Sequence, residues 1–262
     1  MSKEKIIVAL DVATAAEARQ VIAELRGEVG AFKIGLQLFT AAGASFVRET
    51  IVAGAKIFLD VKFHDIPNTV AKASIEAARL GIWMFNVHAL GGGEMMRRTV
   101  ENVREICDKE NLTQPKIIAV TVLTSANQQT LEEVGIERET TKQVLKLAQL
   151  TAKCGLDGVV ASPLEIELIR RAIGKKDFLI VTPGIRSDDG TVRRRDNEKK
   201  AEDRRPKTED RIGETSDDQK RVMSAKEAIA AGADYLVIGR PILQATDRVS
   251  AVRKILEETE TA

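Results

Sequence analysis

Short apolar, β-rich runs recur along the chain at 6–12, 31–36, 55–63, 82–89, 115–123, 158–161, 178–183 and 235–239. Between them lie stretches whose apolar residues return every three or four positions, with the length of crossover helices. Residues 15–25 set Ala18, Val21, Ile22 and Leu25 on one face, and 141–154 do the same with Val144, Leu147, Ala148 and Thr151. Glycines stand at the returns to strand, at Gly54, Gly81, Gly155 and Gly232, where a helix C-terminus takes a residue that tolerates positive φ. Strands alternating with helices imply parallel pairing. Eight such units predict an α/β chain folded as a single (β/α)8 TIM barrel spanning residues 1–262. The competing arrangement is an open doubly wound sheet, which usually carries a glycine fingerprint after its first strand; here that run leads into Asp11-Val12-Ala13-Thr14.

Composition narrows the function. The 262 residues allow one large or two small domains, a size that α/β barrels commonly reach as one domain, and 44% of them are apolar, enough for a sizeable core. Lys and Arg number 40 against 39 Asp and Glu, so the net charge of +1 offers no general field for nucleic acid or an anionic membrane. Seven Phe, one Tyr and one Trp give few platforms for stacking bases. Cys107 and Cys154 are too few for a disulfide framework or a Cys-rich metal site and read as reduced residues. No apolar run approaches the roughly 18 residues of a membrane span. Met-Ser-Lys-Glu-Lys leads into the first run without the apolar stretch of a signal peptide. The expectation is a soluble cytoplasmic protein with no membrane or nucleic-acid partner.

Charges at strand ends carry the candidate chemistry, because a barrel of this kind places its active site at the C-terminal ends of its strands. Asp11 closes the first run, Lys33 sits inside the second, and the third reads Phe58-Leu59-Asp60-Val61-Lys62-Phe63-His64-Asp65. Period-two alternation puts Asp60 and Lys62 on one face, toward the barrel mouth, and Leu59, Val61 and Phe63 on the other. Asp65 can return to the same place from the following loop. A structural ion-pair network is the plain alternative. Against it, burying an ion costs several kcal/mol unless it is well paired, and three acids face two bases here. The last strand ends in Gly239-Arg240-Pro241, beside Thr182-Pro183-Gly184-Ile185-Arg186 from the seventh. A glycine that lets a backbone N–H approach, next to an arginine fork, suits a phosphate; a tight turn with a surface arginine is the plain alternative. Together these loops imply a phosphorylated small-molecule substrate.

Asp60-Val61-Lys62-Phe63-His64-Asp65-Ile66-Pro67-Asn68-Thr69 closely resembles the signature of the orotidine 5'-phosphate decarboxylase family. Val8-Ala9-Leu10-Asp11, Phe32-Lys33-Ile34-Gly35, Val122-Leu123-Thr124-Ser125, Thr182-Pro183-Gly184-Ile185-Arg186, Asp217-Asp218-Gln219-Lys220-Arg221 and Ile238-Gly239-Arg240-Pro241 are similar to further family segments, in the family's order. The resemblance implies cofactor-independent decarboxylation of the nucleotide orotidine 5'-phosphate to UMP and carbon dioxide, with no metal. It implies that Lys62 donates the proton to C6 of the pyrimidine. Asp60 would lie next to the departing carboxylate, and Asp65 and Lys33 would complete the charged array. Asp11 and Lys33 would hold the ribose, Thr124 the base, and Gln219, Arg240 and the Gly239 backbone the 5'-phosphate, with Arg186 nearby. Ile66 and Pro183 would complete the substrate contacts. Asp65 and Thr69 would reach into a neighbouring subunit's site, which implies a homodimer with shared active sites.

A magnesium-dependent sugar-phosphate decarboxylase of the same superfamily is the nearest alternative, with the acidic residues as ligands. His64 and His88 add little to it, since a lone strand-end histidine is more often hydrogen-bonded than ligating. Arg193-Arg194-Arg195, Lys199-Lys200 and Arg204-Arg205 suggest a nucleic-acid-binding arm, but acidic residues interrupt them throughout. These runs belong to a hydrophilic stretch at 188–214 that departs from the family, whose corresponding loop is much shorter. Its 27 residues hold 18 of the chain's 79 charged side chains and only Val192, Ala201 and Ile212 as apolar content. It is expected to be a mobile, solvated insertion in the active-site loop, outside the barrel.

Overall fold

The computed structural model describes residues 2–186 and 222–260. Among these, eight parallel strands close a barrel: β1 (Ile6–Ala9), β2 (Ala31–Gly35), β3 (Ile57–Phe63), β4 (Met84–His88), β5 (Lys116–Val120), β6 (Gly158–Val160), β7 (Leu179–Thr182) and, last in the chain, β10 (Tyr235–Ile238). Neighbours follow chain order, and the first strand meets the last through Ile6↔Leu236, Ile7↔Val237 and Val8↔Ile238. This (β/α)8 barrel is the architecture that the alternation predicts, each strand falling within one of the eight apolar runs.

Helices α1 (Ala15–Leu25), α2 (Leu36–Val52), α3 (Pro67–Arg79), α4 (Gly92–Glu110), α5 (Gln128–Glu133), α6 (Thr140–Lys153), α7 (Ile166–Ile173), α8 (Ala225–Ala230), α9 (Arg240–Leu243) and α10 (Arg248–Glu260) connect and flank the strands. Their starts are set locally. The Thr14 hydroxyl accepts the Glu17 N–H while the Glu17 carboxylate accepts the Ala13 N–H, and Ser224 with Glu227 closes a reciprocal cap on α8. Gly54, Gly81, Gly155 and Gly232 end helices with φ of 89°, 79°, 81° and 105°.

Side chains alternate cleanly through the barrel wall. Val8, Ile34, Leu59, Phe85, Ile117, Val159, Ile180 and Leu236 face the helices in the larger core. Ile7, Ala9, Ala31, Phe58, Met84, Ile118, Val181 and Val237 form a second cluster, packed against one another inside the barrel. Each fully buried large apolar side chain contributes about 1.5–3 kcal/mol, so this inner layer is a stabilising floor. Trp83 and Tyr235 pack beneath it, rings edge to face at 5.1 Å. Nearby, Arg170 of α7 donates to the carbonyls of Gly232 and Phe178 and to Asp234, and Asp234 also accepts the Ile180 N–H at 2.7 Å. That clamp ties the N-terminal ends of β7 and β10 to a helix.

Two features differ from the sequence reading. The segment after Pro183 is not only a polar loop: β8 (Ile185–Arg186) pairs in parallel with β9 (Met223–Ser224) as a separate two-stranded sheet. Two-residue strands carry no periodicity to read. Strand β3 also departs from regular alternation, since its pairing with β4 runs Leu59↔Phe85 and then Phe63↔Val87. Among the described residues no helix is long and apolar enough to cross a membrane.

Candidate active site

On the first four strands the inward positions of the floor, followed two residues further up, become polar. Ala31 gives way to Lys33, Phe58 to Asp60, Met84 to Asn86, and Ala9 to Asp11 just beyond β1. The same parity that fills the floor therefore gathers the charges at the mouth.

Asp60 is the centre of the array. Its Oδ1 lies 2.7 Å from the Lys62 ammonium and 2.6 Å from the Asn86 amide nitrogen, and its Oδ2 is 3.4 Å from the Lys33 ammonium. Lys33 lies in turn 3.3 Å from Asp11. The side chains of Lys33 and Asp60 are only 11% and 14% exposed, whereas Lys62 is 36% and Asp11 62% exposed, so the chain of charges runs outward from a buried pair. Burial pulls the Lys33 ammonium downward, but Asp60 and Asp11 outweigh it and hold its pKa above the usual lysine value.

Lys62 adopts φ of 53°, the left-handed region that costs a non-glycine residue about 1–3 kcal/mol. Between Leu59 and Phe63 the strand advances four residues while β4 advances two, so Lys62 is lifted out of the ladder. Its N–H donates instead to the Asn86 side-chain oxygen at 2.8 Å. The ammonium still reaches Asp60, although by a bulged backbone rather than a regular strand.

The structure brings Asp11, Lys33, Asp60 and Lys62 together and leaves Asp65 apart. Asp65 is exposed, and its carboxylate accepts the neighbouring Ile66 N–H at 2.6 Å, turning the chain toward α3. Ile66 and Thr69 are exposed beside it. Thr124 is half-buried after β5, Pro183 and Arg186 are half-buried after β7, and Arg240 is exposed at the start of α9. A side chain at Gly239 would sit 3.4 Å from Asp11 Oδ2, so the last strand's loop runs against the charged array. Gln219 and the stretch 188–214 lie outside the described residues.

Sequence reasoning missed Asn86, fully buried at the heart of the site. An asparagine on the inward face of Met84-Phe85-Asn86-Val87-His88 is the available signal. His88 is 9% exposed and stacks on His64 at 5.3 Å, and its Nδ1 accepts the Leu90 N–H at 3.3 Å. Burial, then the neighbouring His64 and Lys62, push its pKa down to about 4. Among the described residues no three His, Cys, Asp or Glu side chains gather to hold a metal ion.

A parallel barrel that is apolar at its floor and concentrates acids and ammonium groups at its C-terminal mouth is the scaffold of an enzyme. The family model described as "Orotidine 5'-phosphate decarboxylase / HUMPS family" matches residues 4–208 and 193–255, and the chain belongs to that family. A relative named orotidine 5'-phosphate decarboxylase from Syntrophotalea carbinolica is 48% identical over 261 residues, covering 100% of this chain and 97% of its own. The relative of the same name from Geobacter sulfurreducens is 49% identical over 259 residues, covering 98% and 96%. Among solved structures, the orotidine 5'-phosphate decarboxylase of Lactobacillus acidophilus matches with a TM-score of 0.77 at 32% identity, over 97% of this chain and 98% of that one.

Proposed function

We propose that this chain converts orotidine 5'-phosphate to UMP and carbon dioxide, the last step of de novo UMP synthesis, without a cofactor. The observation that carries the reading is the Lys62 ammonium held 2.7 Å from a largely buried Asp60 at the barrel mouth. Cleavage of the bond from C6 to the carboxylate leaves an electron pair in the plane of the pyrimidine, where the ring π system cannot delocalise it. A fixed ammonium stabilises that pair as it develops. Lys62 then passes one proton to C6 and regains it from solvent. Asp60 lies beside the departing carboxylate. Asp11 and Lys33 hold the ribose hydroxyls, and Thr124, Ile66 and Pro183 contact the substrate around the base. Arg240, the Gly239 N–H, Arg186 and Gln219 take the phosphate.

Turnover of orotidine 5'-phosphate by the purified protein in EDTA, followed as carbon dioxide and UMP released in equal amounts, tests this reading. Loss of turnover in EDTA overturns cofactor independence, and no turnover with or without metal overturns the activity.

The working unit in this reading is a cytoplasmic homodimer. Leu36, Ile66, Leu90 and Leu123 follow four neighbouring strands and are 64%, 66%, 43% and 43% exposed, which supports a second copy over that face. Asp65 and Thr69 would then serve the partner's site. Mixing inactive Asp65→Asn and Lys62→Ala homodimers is expected to restore activity, because each heterodimer regains one intact site; proven heterodimers without activity would refute sharing. Residues 188–214 are read as an insertion within one barrel domain. A chain lacking them is expected to keep its circular dichroism, and comparing its kcat/KM with that of the full chain measures their influence.

A further inference from the structure

Among the described residues, Asn86 is the one uncharged side chain hydrogen-bonded into the array, and it bridges both ends of Asp60-Val61-Lys62. Its amide donates to Asp60 Oδ1 at 2.6 Å, and its carbonyl accepts the Lys62 N–H at 2.8 Å. The reverse amide orientation would set an NH2 against the Lys62 N–H, so the two bonds fix the assignment. Asn86 itself is anchored in a regular part of the sheet, where β4 pairs with β5 through Asn86↔Ile118, and it has no exposed surface. On the β3 side the ladder is broken opposite this residue, and the side-chain carbonyl stands in for the missing backbone acceptor.

Three consequences follow. The bond to the main chain offsets part of the left-handed strain at Lys62, which would otherwise relax toward a straight strand and swing the ammonium. The bond to Oδ1 fixes the rotation of the Asp60 carboxylate, so that Oδ1 serves Lys62 and Oδ2 faces Lys33. An amide also adds a donor without adding a charge, which leaves the balance of two ammonium groups and two carboxylates untouched.

We propose that Asn86 is a positioning residue for the decarboxylation: it locks the bulged backbone of Lys62 and the orientation of Asp60 in register, without touching the substrate. The proposal rests on the decarboxylase reading, and its test carries the unaltered protein as control, whose failure to release carbon dioxide would count against that reading rather than against Asn86. Asn86→Ala is expected to lower kcat about 100-fold or more while KM moves by less than about fivefold, the pattern of a misplaced reacting group. A folded Asn86→Ala protein with kcat within about fivefold of the control overturns it.

The isosteric Asn86→Asp variant decides the matter if the alanine variant does not fold. It keeps the acceptor for Lys62 N–H but sets a carboxylate against Asp60, and only a proton shared by the two acids restores the donor. Its kcat relative to the control is therefore expected to rise about tenfold or more as pH falls from about 8 to about 5.5. A pH profile of the same shape as the control's, merely scaled down, marks Asn86 as structural only and overturns the proposal.

Discussion

The barrel carries an ion cluster at each end, and the two are built from similar charges in opposite ways. At the floor, Arg170 and Asp234 spend their hydrogen bonds on backbone: the Gly232 and Phe178 carbonyls and the Ile180 N–H. At the mouth, Asp11, Lys33, Asp60 and Lys62 are bonded mainly to one another among the described residues, and Asn86 ties the array to the main chain at Lys62. The floor cluster cross-links elements. The mouth cluster holds charges in place with donor capacity left over, since Lys62 carries three ammonium protons and gives one to Asp60. An ion pair is structural or functional according to where its remaining bonds go, and counting charges does not separate the two.

That contrast is broken most directly at the mouth. Lys62→Ala is expected to lower kcat/KM for orotidine 5'-phosphate by about 10⁴-fold or more, with the melting transition preserved. Near-normal carbon dioxide release by that variant would return the mouth cluster to a structural role. At the floor, Arg170→Met leaves Asp234 half-buried without its cation and is expected to cost about 2–3 kcal/mol in urea unfolding, with kcat of the folded fraction unchanged. If kcat falls and stability does not, the assignment of the two ends is reversed.

The smallest effect concerns His88, which borders the mouth. Its folded pKa of about 4 lies below the ordinary value of 6.5, so between these pH values the unfolded chain binds the proton and the folded one does not. Stability is then complete above about pH 6.5 and declines on acidification through that window, by at most about 1.4 kcal/mol per pH unit. Urea midpoints at pH 6 and pH 5 measure it. His88→Asn is expected to flatten the dependence, and an unchanged slope would show that other groups carry it.

Much of this was legible in the chain because period two is a strong signal. Phe58 and Asp60, or Ala31 and Lys33, share a face on parity alone, and parity decided both the floor and the mouth. The bulge at Lys62 was not legible, because its φ is stabilised by a side chain from another strand, 24 positions away. Asn86 escaped a reading that looked for ionisable groups. Asp65 was grouped with the array because it follows the same strand, but a one-residue turn onto the Ile66 N–H redirects it.

Trp83 and Tyr235, beneath the floor, are the chain's single tryptophan and single tyrosine. Trp83 immediately precedes β4 and Tyr235 opens β10, strands that are not neighbours in the barrel wall. Intrinsic ultraviolet emission is therefore an optical gauge of whether the cylinder is shut, sited at the end opposite the charged array. Replacing either ring would disturb the gauge while leaving the array at the mouth in place.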